Sequence, residues 1–188
     1  MLGQRHAALR NGTSALHAEL DATVTSSQYF ASIAGYGEYL HRLRAFQRDF
    51  DCAALRCGTR WPTKWRVDQH VGWLDRDLAA LGLTSRSPAS GCAAKTLALN
   101  TTSALLGALY VVVGSGLGAR VLLARARALA LPNSGGTLYL ESLSRVTDWR
   151  AFLAFLESAP SISEPLMIEG AAITFEHALF HIGEGVVA

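Results

Sequence analysis

The sequence predicts an all-α, single-domain helical bundle. Three observations carry that expectation. Apolar residues recur every three or four positions through most of the chain. The breaks between these stretches are short and rich in Gly, Pro and Ser. No two segments alternate in a way that would pair convincingly as strands. With 188 residues and no internal repeat, the chain reads as one domain over 1–188 with a substantial core.

The first helix covers residues 4–22, with Leu9, Leu16 and Leu20 at helical spacing and Thr13 close to the same face. The second covers 36–56 through Tyr39, Leu43, Phe46, Phe50 and Leu55, with His41, Arg42, Arg44, Arg48 and Asp49 on its wet side. Gly58 helps end it and Pro62 interrupts the chain beyond. Val67, Val71, Leu74, Leu78 and Leu81 predict a third helix over 66–81. TSRSPASG (84–91) is the clearest loop. A long helix follows over about 93–131, bent where its glycines cluster and ended by PNSGG (132–136). TLYLESLS is ambiguous between strand and loop. Residues 147–158 form a helix with Thr147 as its N-cap, PSISEP punctuates, and 164–182 form the last helix.

Half of the residues are hydrophobic and 17% are charged, a globular balance. A net charge of +2 gives no electrostatic reason to expect nucleic acid. Cys52, Cys57 and Cys92 are odd in number and match no zinc or redox spacing, so a reducing, cytoplasmic compartment is expected and a disulfide scaffold is not. The opening MLGQRHAALRNGTSALH lacks the apolar core of a secretory signal. No charge falls between Lys95 and Arg120, a stretch long enough to span a bilayer at about 20 residues. Asn100, Thr101, Thr102, Ser103 and Ser115 dilute it, and the amphipathic helices need an apolar partner. A buried central helix, with no membrane span, satisfies both.

His17 and Arg10 are the first chemical candidates. Seven residues of helix set them on about the same side, ~10 Å apart along the axis at ~1.5 Å per residue. A neutral imidazole can ligate a metal and a guanidinium suits a carboxylate. On the spacing alone, a partly buried histidine beside a surface arginine is the better reading. In ALYVVVGSGLGARVL (108–122), Gly114 and Gly118 make one bare patch, and Gly107 lies seven residues before Gly114. A glycine inside a helix costs roughly 0.5–1 kcal/mol relative to Ala. Either close helix packing or a flat ligand against the backbone would account for such a cluster.

Together these segments resemble the haem oxygenase family, particularly the bacterial enzymes that make biliverdin for phytochromes. Arg10, Thr13 and His17 match the family's proximal order and spacing, a basic residue, a Thr and the iron-binding His. Gly114, Ser115 and Gly118 match the distal kinked helix. WRAFLAFLE (149–157) resembles the helix that supplies a propionate-binding arginine, which points to Arg150. Ala119 stands where some relatives have a further glycine, and Val113 where many bacterial relatives place Glu. The resemblance implies a haem-oxygenase-like bundle and oxidative opening of haem b to biliverdin, with release of iron and carbon monoxide. Haem is then both substrate and cofactor, used with O2 and an external electron donor of the ferredoxin or flavodoxin type. A phytochrome would be a user of the product. His17 would be the axial ligand of the haem iron. Arg10, Arg150 and Tyr110 would bind the propionates, and Gly114, Ser115 and Gly118 would form the distal, oxygen-steering wall. The departures at Val113 and Ala119 leave room for an alternative, a non-catalytic haem carrier or sensor on the same fold.

His177 and His181, four apart with Glu176 and Glu184 near, are a possible metal pair. A di-iron centre needs a Glu-x-x-His from each of two helices, which the chain lacks, and the pair reads as two histidines on an exposed terminal turn. Trp61, Trp65, Trp73 and Trp149 read as core or rim packing, and Cys52 and Cys57 as buried thiols. Arg120, Arg125 and Arg127 read as a solvated helix end that suits the C-terminal dipole, or as a docking patch for an acidic electron donor.

Overall fold

The computed structural model describes residues 3–58, 69–84, 97–132, 135–146 and 149–183. Among them there is no strand. The order is α1 (Gln4–Ser26), a 3-10 turn (Gln28–Phe30), α2 (Ile33–Cys57), α3 (His70–Ala80), α4 (Thr102–Gly114), α5 (Gly116–Arg127), α6 (Leu138–Val146), α7 (Trp149–Ser158) and α8 (Glu164–Gly183). Pro62, Trp61, Trp65, Cys92, Thr147, Glu184 and all but the first residue of the 84–91 loop lie outside the described residues.

Local signals fix several helix ends. The Ser32 hydroxyl accepts from the Gly35 N–H at 3.0 Å and opens α2. Gly58 closes it with φ +67°, in the left-handed region that glycine enters freely. The long helix expected over 93–131 is shorter. Residues 97–100 are not helical, and α4 begins after Thr101, whose hydroxyl accepts from the Ala104 N–H at 3.1 Å. Its bend falls at Ser115, where the Ser115 hydroxyl donates to the Val112 carbonyl at 2.7 Å and loosens the ladder.

TLYLESLS corrects the strand-or-loop reading, because it folds as α6. The reason lies sixty residues away. The buried carboxylate of Asp77 on α3 accepts from the Leu138 N–H at 2.7 Å and the Tyr139 N–H at 2.8 Å. It therefore caps α6 with a charge of the sign its dipole favours. Burial raises the Asp77 pKa, and these two backbone bonds oppose the rise.

The core is built around α4. Leu105, Leu106, Ala108, Leu109 and Val112 are buried, so this helix is covered on nearly all sides. Thr102–Arg127 is long and apolar enough to cross a membrane by length and composition, and 50% of its most apolar window is buried inside the protein. Burial of α4 agrees with the central-helix reading. Two details of α2 differ from expectation. Leu55 is 81% exposed and outside the core. Asp49 is turned inward to α8 rather than to water.

Helix α8 lies across α4 at backbone distance. A Cβ on Gly107 would overlap the Met167 carbonyl oxygen, and one on Gly170 would overlap the Ala104 carbonyl oxygen. Both obstacles are helical backbone, which cannot step aside as a side-chain tip can. Gly170→Ala should therefore lower the unfolding free energy by about 1–3 kcal/mol, the usual range for overpacking. A lower urea midpoint at unchanged slope would show it; an unchanged midpoint would contradict this packing.

Candidate functional site

The position of α1 is set at its first turn. The Glu157 carboxylate on α7 accepts from the Arg5 and His6 N–H groups at 3.2 and 2.9 Å. In return, one guanidinium nitrogen of Arg5 donates to the Leu156, Glu157 and Ala159 carbonyls at 2.7, 3.1 and 2.7 Å. Each helix thus satisfies the orphan groups of the other, with charges that complement both dipoles. Three turns further along α1 stands His17. Its Nδ1 donates to Asp21 Oδ2 at 3.1 Å, and its ring meets Phe175 of α8 edge-on at 5.7 Å. In that tautomer, assigned from the carboxylate partner, Nε2 keeps its lone pair.

His17, Leu20 and Asp21 line a cavity of about 610 Å3 that Gly114, Ser115 and Gly118 also line. Its volume falls in the range of small-molecule and cofactor pockets, ~300–1,000 Å3. Phe46, Leu43, Val112 and Leu140 are among the apolar residues of its wall. Leu117 and Val121 also line it and are 57% and 65% exposed.

The glycines divide between the two roles the sequence left open. Gly107 serves packing against α8, as above. At Gly114 a Cβ would meet the Trp149 ring at 3.4 Å, an ordinary contact. At Gly118 it would meet nothing within 4 Å. Gly118 therefore presents bare backbone to open space on the cavity wall. Ala119 is buried and also lines the cavity, while Val113 packs against the core and is not among the lining residues.

The expected anion-binding groups are placed unequally. Tyr110 lines the cavity, with its ring 6.0 Å from His6 and 5.5 Å from Trp149. Burial raises its phenol pKa, and the charge of Arg10 opposes the rise. Arg10 and Arg150 are both exposed, and neither is a lining residue. Arg125 is one, with its guanidinium 4.7 Å from the Phe30 ring centre. That corrects its reading as part of a solvated helix end. Arg127 pairs with Glu141 at 3.0 Å, and Arg120 is exposed.

Three cavity residues escaped the sequence reading. Tyr139 shares a hydrogen bond with Ser115, and burial raises its phenol pKa far enough to keep the proton on. Gln47 is fully buried, and among the described residues nothing reaches its Oε1. Asp21 holds the His17 ring. Only Asp21 left a sequence signal, an acidic residue one turn after the histidine.

His177 and His181 also correct their reading. They do not lie on an exposed turn; their side chains are 4% and 12% exposed and face Asp49. Cys52 and Cys57 are half-buried.

The family model for haem oxygenase matches residues 4–180. In structure the chain is similar to a haem oxygenase from Neisseria meningitidis, solved in NO- and CO-bound forms, with a TM-score of 0.71 and 23% identity. The alignment covers 100% of this chain and 96% of that one. No curated protein sequence matches it.

The open space at Gly118 gives a prediction of opposite sign to the one at Gly170. Gly118→Ala should leave stability unchanged or raise it by up to about 1 kcal/mol, because a helical glycine is replaced without a clash. Urea unfolding of the two variants side by side checks this; a loss at Gly118 equal to that at Gly170 would mean the space is already filled.

Proposed function

The chain belongs to the haem oxygenase family, and from that premise we propose that it opens haem b to biliverdin, releasing iron and carbon monoxide, with His17 as the iron ligand. The observation that supports this reading is that one cavity is lined both by His17, whose Nδ1 is taken by Asp21, and by the bare backbone of Gly118.

The residues present fit a flat, apolar group that ends in two carboxylates. The cavity wall is mostly hydrophobic, Gly118 leaves a face free of side chain, and Gln47 Oε1 is a buried polar atom without a protein partner among the described residues. Bound haem supplies the iron at which oxygen is activated and the porphyrin edge that is oxidised. The protein's part is positioning. Asp21 fixes the His17 tautomer and makes the imidazole a better ligand, as carboxylate partners of metal-bound histidines do. Gly114 and Gly118 would leave the α4–α5 backbone accessible to a flat ligand in the cavity. Ser115 and Tyr139 keep a protonated phenol and a hydroxyl on the cavity wall, where they would orient water and hold a proton at the Tyr139 oxygen. Arg10 and Tyr110 would hold one propionate end together with Arg150, and Arg125 offers a further guanidinium at the wall. An external reductant of the ferredoxin or flavodoxin type, O2 as co-substrate and a phytochrome as user of the pigment belong to the same reading, and rest on the family resemblance.

One observation favours the second reading, a haem carrier or sensor. Among the described residues Asp21 is the only carboxylate lining the cavity, and it stands on the His17 side. The distal wall therefore relies on hydroxyl, phenol and amide groups for polarity.

Haemin added to the protein should give a Soret band. His17→Ala should weaken haemin binding at least about tenfold, or about 1.4 kcal/mol, and abolish the native band position. With ascorbate or a ferredoxin system and oxygen, the wild type should convert the Soret absorbance into that of an open tetrapyrrole. Haem binding without any bile pigment would select the carrier reading. A Soret band unchanged in His17→Ala would remove His17 as the ligand.

A further inference from the structure

We propose that Asp49, His177 and His181 form a binding site for a divalent transition-metal ion of the zinc class, separate from the large cavity and clipping α8 to α2. None of the three lines that cavity.

The site follows from helix geometry. Residues 177 and 181 are one turn apart on α8, so their rings project from one face, and Asp49 meets them from α2. His177 Nε2 and His181 Nε2 each lie 3.0 Å from the same oxygen, Asp49 Oδ2, and 3.2 Å from each other. These three atoms make a nearly equilateral triangle. Hydrogen bonds cannot occupy all three of its sides at once, because each neutral imidazole has at most one proton on Nε2. If both rings donate to Asp49, the two N–H groups share one carboxylate oxygen and meet each other at 3.2 Å as donor against donor. If one ring donates to the other, its partner's contact with Asp49 loses its proton. At most two of the three sides can be hydrogen bonds.

A cation on the axis of the triangle satisfies all three atoms at once. Zinc binds imidazole nitrogen and carboxylate oxygen at about 2.0–2.2 Å. Tetrahedral ligand atoms at those lengths are ~3.3–3.6 Å apart, and octahedral neighbours ~2.8–3.1 Å apart. The two 3.0 Å edges match the octahedral spacing, and the 3.2 Å edge lies just short of the tetrahedral one. Two imidazoles and one carboxylate are a donor set for Zn2+, Fe2+ or Co2+, whereas Mg2+ and Ca2+ prefer oxygen. Three protein ligands leave at least one position for water.

The surroundings suit a structural ion. The three side chains are 4%, 12% and 18% exposed, so the ligands are held while the edge stays reachable. Phe46 and Phe180 flank His177, with ring centres 6.1 and 6.3 Å away. Arg42 donates to the His181 carbonyl at 2.8 Å and is paired with Glu38 at 2.8 Å, so its charge is partly compensated. Metal binding would tie the last turns of α8 to the middle of α2.

The test uses untagged, haem-free full-length protein and Zn2+ as the probe. Calorimetric titration and elemental analysis should find one equivalent bound with a Kd of about 1 μM or tighter, and Zn2+ should raise Tm. Asp49→Asn and His181→Ala should each weaken binding about 100-fold or more, the upper end of what altered ligand surroundings cost, and remove the rise in Tm. Co2+ added to the wild type should show visible d–d bands of a nitrogen- and oxygen-ligated ion, a readout that does not depend on how the variants fold. Wild-type protein that takes up no stoichiometric Zn2+ and shows no Co2+ bands overturns the proposal. So does binding that both variants retain at wild-type strength.

Discussion

The close crossing of α8 over α4 is the constraint on which the rest of the structure depends. Gly107 and Gly170 remove the side chains at the crossing point, each facing the other helix's backbone carbonyl. Two helices can meet this closely only where both surfaces are bare. That contact places α8 in the middle of the bundle, where it touches α1 on one side and α2 on another. From there Phe175 supports the His17 ring, and His177 and His181 reach Asp49. Both the candidate haem site and the proposed metal site therefore inherit their geometry from one pair of glycines.

Long-range polar capping then sets the helices that surround the crossing. Glu157 and Arg5 exchange backbone partners between α7 and α1, which fixes the axial position of α1 and with it the height of His17. Asp77 does the same for α6 from α3, and thereby places Tyr139 on the cavity wall. A side chain that caps a distant helix does two things. It removes the penalty of unpaired backbone groups, and it locks the relative position of two elements. The cavity is framed by helices held in this way, so its walls are positioned before any ligand contributes.

What could be read from the sequence follows from the range of each interaction. The amphipathic repeats of α1 and α2, the Gly58 stop and the His17–Asp21 spacing are local, and they were visible or could have been. The all-α class and the buried α4 follow from the same periodicities. The helix at TLYLESLS was hidden because its alternating L-Y-L reads like a strand, while its decisive cap is Asp77, far away in sequence. The inward turn of Asp49 was hidden for a related reason. Helical phase put it among charged neighbours, and only the placement of α8 shows that it faces two histidines. Gln47 and Tyr139 carry no motif and become site residues through tertiary placement alone. Tyr110 and Arg125 lie on the cavity wall, while Arg10 and Arg150 are exposed and not among its lining residues, a distinction no single helix could reveal.

The glycines of the α4–α5 segment separate stability from function most clearly. Gly107 repays its conformational cost through packing, since any side chain there would drive α8 away. Gly118 has no such return. A Cβ at that position would touch nothing, so the fold gains no contact from its absence and loses roughly 0.5–1 kcal/mol relative to alanine. A first-turn helical glycine that the packing does not require needs a reason outside the folding energetics. The bare backbone lies on a cavity shared with an imidazole whose Nε2 is left free by its partner Asp21. A flat ligand pressed against that backbone would turn the cost in folding into a gain in binding, and it would do so only with the side chain absent.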